Sequence, residues 1–301
     1  MTLAVIVPVH NEGPGIRPLY ERVKAALEAL PGLTGWSLVF ANNASDDHSL
    51  DEIVRLHAAD PRVKVITLAR DFGYHAALVA GLSHIDSELY AILEADGQDP
   101  PELLADFYAA ITKDGAQIAY GVRSHREEPA FVMGFRRLFY ALNKRIADSD
   151  VIMWMAEFAM ITRSVREAIL TPRTTYPFLR TEIAYVGFKR IGIPYYRTRR
   201  RYGASHYNFW NLTKFAIGGF LSSSTFPLRL VLYLAAVLAV SFPLAVVLLR
   251  LSLDEASQLA TVCALYFLLG TLPWMAIYLA RTYKNGVARP VYVVDQERTF
   301  V

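Results

Sequence analysis

Four oxygen-bearing side chains, Glu94, Asp96, Gln98 and Asp99, fall within six residues. Hard oxygen ligands crowded on one short stretch suit Mg²⁺ or Mn²⁺, ions that also take phosphate oxygens from a substrate. The plain alternative is an acidic turn that opens the Pro100–Lys113 helix with Asp99 as its N-cap, and the two roles can coexist. A stretch of opposite charge comes later. No Asp or Glu occurs from Ile183 to Leu253, where Lys189, Arg190, Arg197, Arg199, Arg200, Arg201, Lys214, Arg229 and Arg250 all lie. Such a strip either attracts anionic headgroups in general or holds a specific phosphate at a membrane surface.

The elements that must position these groups are legible as alternating patterns. Leu3–Val7, Ser37–Ala41, Val63–Leu68, Leu89–Leu93 and Gln117–Tyr120 are short, branched, apolar runs and predict buried parallel strands. Gly15–Leu30, Ser49–Ala59, His75–His84 and Pro101–Lys113 carry helical periodicity between them. This alternation predicts a doubly wound, Rossmann-like α/β sheet, which binds ligands at the carboxyl ends of its strands. Polar residues follow each strand: Pro8 to Glu12, Asn42 to Asp47, Arg70 to Gly73, Glu94 to Glu102, and Gly121 to Arg123. Together they outline a cleft. Neither a GxGxxG fingerprint nor a P-loop is present, so dinucleotide and P-loop chemistry have no warrant.

Of the 301 residues, 53% are apolar and 20% charged, with one cysteine and a net charge of +3. These values exclude a disordered chain, a disulfide framework and a cysteine-rich zinc site, and they give no footprint for nucleic acid. The apolar excess is local. Leu230–Leu249 and Leu259–Ala280 are uncharged runs of twenty and twenty-two residues, each about 30 Å long as a helix and enough to cross a bilayer. The alternative is a pair of buried core helices, which ordinarily carry a polar stripe. Arg229 precedes the first run, and Arg281, Lys284 and Arg289 follow the second. The positive-inside rule then places both the N-terminal domain and the tail in the cytoplasm, at the inner membrane. The apolar run near the N-terminus is too short, and lacks a basic leader, for a signal peptide. The expected organisation is a domain over 1–205, an interfacial segment over 206–228, two spans over 229–281 and a tail over 282–301.

Taken in order, VPVHNE, the NNASDD turn, ARDFGYHAALVAGL, EADGQDPPE, GVRS and RRRYGASHYNFWNLTKFAIGGFLSSSTFPLRL resemble a family-2 glycosyltransferase of the polyprenyl-phosphate type. The resemblance implies a GT-A fold and inverting transfer of a sugar from a nucleotide sugar to a polyprenyl phosphate. Carried over by position, Pro8, His10, Glu12, Ala41 and Asn43 flank the nucleobase, with Glu94 and Ala95 also lining the nucleotide-sugar site. Asp96 and Gln98 hold Mg²⁺ or Mn²⁺ against the diphosphate. Arg123 and Arg201 contact phosphates, His206 belongs to the donor site, and Arg136 with Arg201 takes the lipid phosphate. Asp96 and Glu157 are the implied catalytic residues, Glu157 either orienting the acceptor or pairing with an arginine. Partners are a nucleotide sugar, the lipid, the membrane and a possible second copy of the chain.

Four positions depart from the pattern: Asn42-Asn43 for an acidic pair followed by Ala44 for glycine, Glu94 for aspartate, His206 for lysine, and Ala156-Glu157-Phe158-Ala159 for a GDFR-like segment. An Asn facing a base both accepts and donates, so a relaxed preference between uracil and cytosine is expected. The departures also motivate a catalytically silent scaffold or sugar-nucleotide sensor. A processive polysaccharide synthase is a third reading, against which two spans offer little from which to build a polymer channel. His48, His57 and His84 are expected on solvated helix faces, and His75 is an open case. Residues 289–294 are expected to add an edge strand, to a neighbour or to their own domain.

Overall fold

The computed structural model describes residues 1–123, 155–171, 175, 177–198 and 224–301. The proposed domain boundary at 205/206 lies outside them, as do residues 206–223 of the expected interfacial segment. Among the described residues one sheet runs in the order β3-β2-β1-β4-β6-β5-β7. Its strands are β1 (Thr2–Val9), β2 (Gly35–Asn42), β3 (Val63–Thr67), β4 (Leu89–Ile92), β5 (Ile118–Arg123), β6 (Met155–Thr162) and β7 (Arg190–Tyr195). The five expected strands are all present. The sheet is mixed rather than wholly parallel, because β6 runs antiparallel between β4 and β5.

Side-chain alternation splits the core into two layers. Leu3, Val5, Val7 and Val9 face α1 (Gly13–Glu28), α2 (Ser49–Ala59) and α4 (Leu104–Thr112). Ala4 and Ile6 face α3 (Tyr74–His84), α5 (Arg163–Leu170) and α6 (Leu179–Tyr185). Helix α3 lies so close to β1 that a Cβ at Gly81 would stand 2.4 Å from Ile6 Cγ2. The six strands other than β6 therefore point their carboxyl ends to one edge, where β6 begins.

Helices α7 (Phe226–Leu249) and α8 (Leu253–Val287) form an antiparallel pair, both long and apolar enough to cross a membrane. Only Pro227 on α7 and Thr271 on α8 are buried, so the core-helix alternative fails. Their connection is shorter than expected: Arg250 turns the chain at φ 51°, and Ser252 with Glu255 forms a capping box that opens α8. The outer ends of the two helices are joined to each other, and the end of α8 is also tied to the α/β domain side. Tyr278 donates to the Ser224 carbonyl at 2.6 Å, and Thr175 donates its backbone N–H to Asn285 Oδ1 at 3.0 Å. The tail then docks on its own domain and covers the β3 edge. Val65 and Phe300 exchange two backbone hydrogen bonds of 2.7 Å each, and Ala69 donates to Val293. Tyr292 and Val294 pack on the α3 side of the core.

Candidate active site

Strand β4 ends at Ile92, and the chain leaves it through Glu94, Asp96 and Asp99, with Gly97 at φ 68° making the turn. Arg197, just past β7, reaches in among the three carboxylates. Its guanidinium donates to Glu94, lies 3.4 Å from Asp96 Oδ2 and places Nε 3.5 Å from Asp99 Oδ1. Tyr195 donates its hydroxyl to Asp99 Oδ1 at 2.5 Å and accepts from Arg123 Nε at 3.4 Å. Asp96 Oδ1 accepts the Gln98 N–H at 3.0 Å, and Gln98 Nε2 donates to the Thr198 carbonyl. Asp99 is therefore not a helix cap. The helix after it opens on a 3₁₀ turn, Pro101–Leu103, with no side-chain cap.

Burial, with the Asp99 charge added to it, pushes the Glu94 carboxyl up to about 7 against the pull of Arg197. Burial also raises Asp99 despite its hydrogen bond from Tyr195. Burial works against the Arg123 charge, yet the Tyr195 hydroxyl, Glu94 and Asp99 outweigh it and raise its pKa. Negative charge here exceeds what the arginines neutralise, and Asp99 Oδ2 is buried without a hydrogen-bond partner. That donor set fits a divalent cation. Among the described residues no three His, Cys, Asp or Glu side chains converge as a complete ligand set. Such an ion would therefore take the rest of its shell from water and phosphate.

Glu157 enters the same edge from β6. The pairing slips between Tyr120↔Ala159 and Val122↔Met155, so Ala156, Glu157 and Phe158 oppose the single residue Gly121. A bulge of this kind re-aims a side chain at the sheet rim. Burial raises the Glu157 carboxyl, while Arg180 and Arg123 pull it the other way.

On the β1–β3 side, His10 Nδ1 lies 2.9 Å from the Asn43 carbonyl, and Glu12 is buried. Asn43 donates to Asp71 Oδ1 at 2.6 Å and accepts the Phe72 N–H at 2.9 Å. Asn11 Oδ1 accepts the Asp46 N–H, and Asp47 Oδ2 accepts the Gly13 N–H, which latches the first two strand-end loops together. Pro8 is buried beside them, and Leu93 donates its backbone N–H to the Ile6 carbonyl, which brings the β1 and β4 exits side by side. Ala41 and Ala95 lie in the core and present no side chain to the cleft.

The structure thus brings Glu94, Asp96, Gln98, Arg123 and Glu157 to one edge beside Pro8, His10, Glu12 and Asn43. Arg136, Arg201 and His206 lie outside the described residues. Reading the sequence did not single out Tyr195 or Arg180; it placed Asp71 in a strand-end loop of the cleft without a role, and it left Arg197 as one cation among nine. His84 is exposed at the end of α3, as expected, whereas His57 differs from expectation. His57 is half-buried and stacks on Phe300 at 5.5 Å, and His84 meets Tyr292 edge-on at 5.8 Å. His75 packs 4.5 Å from the Phe178 ring, and burial lowers its pKa to about 4.

Residues 4–170 match the sequence profile of Glycosyl transferase family 2. The uncharacterized glycosyltransferase YkcC of Bacillus subtilis (strain 168) is 30% identical over 304 residues, 97% of this chain and 93% of its own length. The undecaprenyl-phosphate 4-deoxy-4-formamido-L-arabinose transferase of Salmonella enteritidis PT4 (strain P125109) is 29% identical over 313 residues, 98% of this chain and 93% of its own. Among solved structures, the mannosyltransferase PcManGT from Pyrobaculum calidifontis in complex with GDP-Man and Mn²⁺ superposes with a TM-score of 0.46 and 20% identity, over 94% of this chain and 86% of that one. The profile covers more than half of the chain, and the relatives cover nearly all of it. On that breadth of agreement this protein is a glycosyltransferase and belongs to glycosyl transferase family 2.

Proposed function

We propose that this chain transfers a sugar, with inversion, from a nucleotide sugar to a polyprenyl phosphate at the cytoplasmic surface of the membrane. The observation that carries this reading is the group of carboxylates around Arg197 at the carboxyl edge of the sheet. That edge belongs to a domain tied to the outer end of the second of two long apolar helices. The Salmonella relative, named for an undecaprenyl-phosphate transfer, aligns along nearly the whole chain and supports a lipid acceptor. The cations flanking the spans favour the cytoplasmic side.

In the reaction, an acceptor phosphate oxygen bonds to the sugar's anomeric carbon as the bond to the nucleoside diphosphate breaks. The acceptor oxygen is already ionised, so the protein's task is to position it. Asp96 and Gln98 would hold a divalent cation, which supplies Lewis-acid stabilisation of the departing diphosphate when bound. Arg123 adds positive charge where leaving-group charge develops, and this favours the transition state over the ground state. Glu157, aimed inward by the bulge, orients the acceptor. His10, Glu12 and Asn43 border the nucleobase, and Asp71, bonded to Asn43, supplies the acid that position 43 lacks.

The test uses purified protein in detergent with undecaprenyl phosphate, Mn²⁺ or Mg²⁺, and a panel of UDP-, CDP- and GDP-sugars. Nucleoside diphosphate release from one donor, dependent on the lipid, is the expected result. Asp96→Asn is expected to lower it by at least about 100-fold. Binding of a donor without release from any member of the panel would instead place the chain among silent sensors.

A further inference from the structure

The loop that follows β3 sets Asp71 beside Asn43, and two distant parts of the chain hold it. From β2, Asn43 donates to Asp71 Oδ1 at 2.6 Å and accepts the Phe72 N–H at 2.9 Å. The second holder is the tail. The Leu68 N–H still bonds to the Asn42 carbonyl of β2, but the next N–H, that of Ala69, bonds to the Val293 carbonyl at 2.9 Å. Only Arg70 stands between that bond and Asp71 along the chain.

Packing does little to fix the loop itself. Ala69, Arg70 and Asp71 are exposed, and a segment with few buried contacts opens easily. A cavity of 540 Å³, lined in part by Arg70, Asp71, Phe72, Pro290 and Val291, leaves it room to move. At its far end Gly73 sits at φ 91°, where the lack of a Cβ leaves the backbone free to swing. The tail, by contrast, is firmly seated. Thr299 Oγ1 accepts the Thr67 N–H at 3.0 Å and donates to the Asp295 carbonyl at 2.7 Å, while Thr67 Oγ1 donates to the Arg298 carbonyl at 2.6 Å. Tyr292 meets the His84 ring, and Val294 packs on the α3 side of the core.

We propose that the tail is a positioning segment for donor binding: by holding Ala69 it sets the loop in which Asp71 and Asn43 meet the nucleobase. This inference rests on the reading that Asn43 and Asp71 border the base. Asp71 touches the donor, and the tail acts through Asp71. A loop released from the tail samples other placements, and apparent donor affinity falls in proportion to the time spent in the competent one. The carboxylates around Arg197 keep their geometry, so the loss belongs to KM and spares kcat.

The experiment is calorimetry of the full chain in detergent with UDP, CDP and GDP, each with Mn²⁺, followed by KM and kcat for a sugar of the nucleotide bound. Tyr292→Ala/Thr299→Val should bind that nucleotide about tenfold more weakly, with kcat at saturating donor within about threefold of the wild type. Tyr292→Phe/Thr299→Ser keeps the ring and the hydroxyl and should bind as the wild type does. Asp60→Asn removes a carboxylate bonded to Tyr20 and Arg62 at the other end of β3. It lowers stability with the tail in place and should also keep the wild-type affinity. A chain lacking residues 290–301, in which docking is impossible, should bind at least as weakly as the first variant. Wild-type affinity in that shortened chain overturns the proposal and leaves the donor reading standing. An equal loss of affinity in Asp60→Asn overturns it as well, as does a fall in kcat with KM unchanged. Failure of the wild type to bind any of the three nucleotides overturns the donor reading and this inference with it.

Discussion

Ala44 holds a backbone φ of 51° in the loop after β2, a left-handed conformation that disfavours any residue with a Cβ. Ala44→Gly is therefore expected to raise stability by about 0.5–1 kcal/mol, measured by denaturant unfolding. Loss of stability would mean that the loop relaxes into another conformation in solution. Glu157 makes a sharper case. Its carboxyl, raised by burial, faces the charges of Arg123 and Arg180. Glu157→Gln keeps the shape and removes the charge, so turnover should fall by about 100-fold while donor binding holds. Near-normal turnover would leave Glu157 as a structural partner of the arginines. At this scale the acidic group was legible because Glu94, Asp96, Gln98 and Asp99 are neighbours along the chain. Arg197, which organises three of them, lies 103 residues from Glu94, and no local pattern joins them.

Among the elements, the five early strands could be recognised from the sequence because both of their faces are buried and their runs are uninterrupted. β6 and β7 could not. MAEFAMIT carries a charge at its third position and little branching, and RIGIPY carries a charge, a glycine and a proline. Their strand character is imposed by pairing with β4 and β5, and with them went the origins of Glu157, Tyr195 and Arg197. The close approach of α3 to β1 gives a direct test: Gly81→Ala should cost about 1–3 kcal/mol by forcing Ile6 aside. A thermal midpoint unchanged from wild type would show that α3 can move outward freely. A second test is the α2–β3 turn. Asp60 accepts from the Tyr20 hydroxyl and from Arg62, whose hydrogen bonds hold its carboxyl well below the usual range. A depressed folded pKa adds stability that is fully present above about pH 4 and is lost as pH falls through the folded value. Asp60→Asn should therefore destabilise by about 1–3 kcal/mol at neutral pH and flatten the acid limb of the stability profile. An unchanged acid limb would assign that limb to other carboxylates.

For the molecule as a whole, the helical pair is anchored through the outer end of α8 and the tail returns to the sheet. The two long apolar helices were plain in the sequence because length and absence of charge suffice to recognise them. The destination of the tail was not, since an edge strand shows no preference for its own sheet over a neighbour's. Removing residues 290–301 should cost at least about 2 kcal/mol through lost pairing and packing. It should also strip hydrogen-exchange protection from the Val65, Thr67 and Ala69 amides, which bond to Phe300, Thr299 and Val293. Retained protection would mean that another segment covers β3. The same pairing carries a consequence for biosynthesis. Thr67 and its partner Thr299 are 232 residues apart. At typical synthesis rates the β3 edge therefore emerges about 10–50 s before the segment that closes it. In that interval both long apolar helices leave the ribosome, so the edge of the sheet remains open until the whole helical pair has been made. The last step in building the catalytic domain thus reports that the helical pair is already complete.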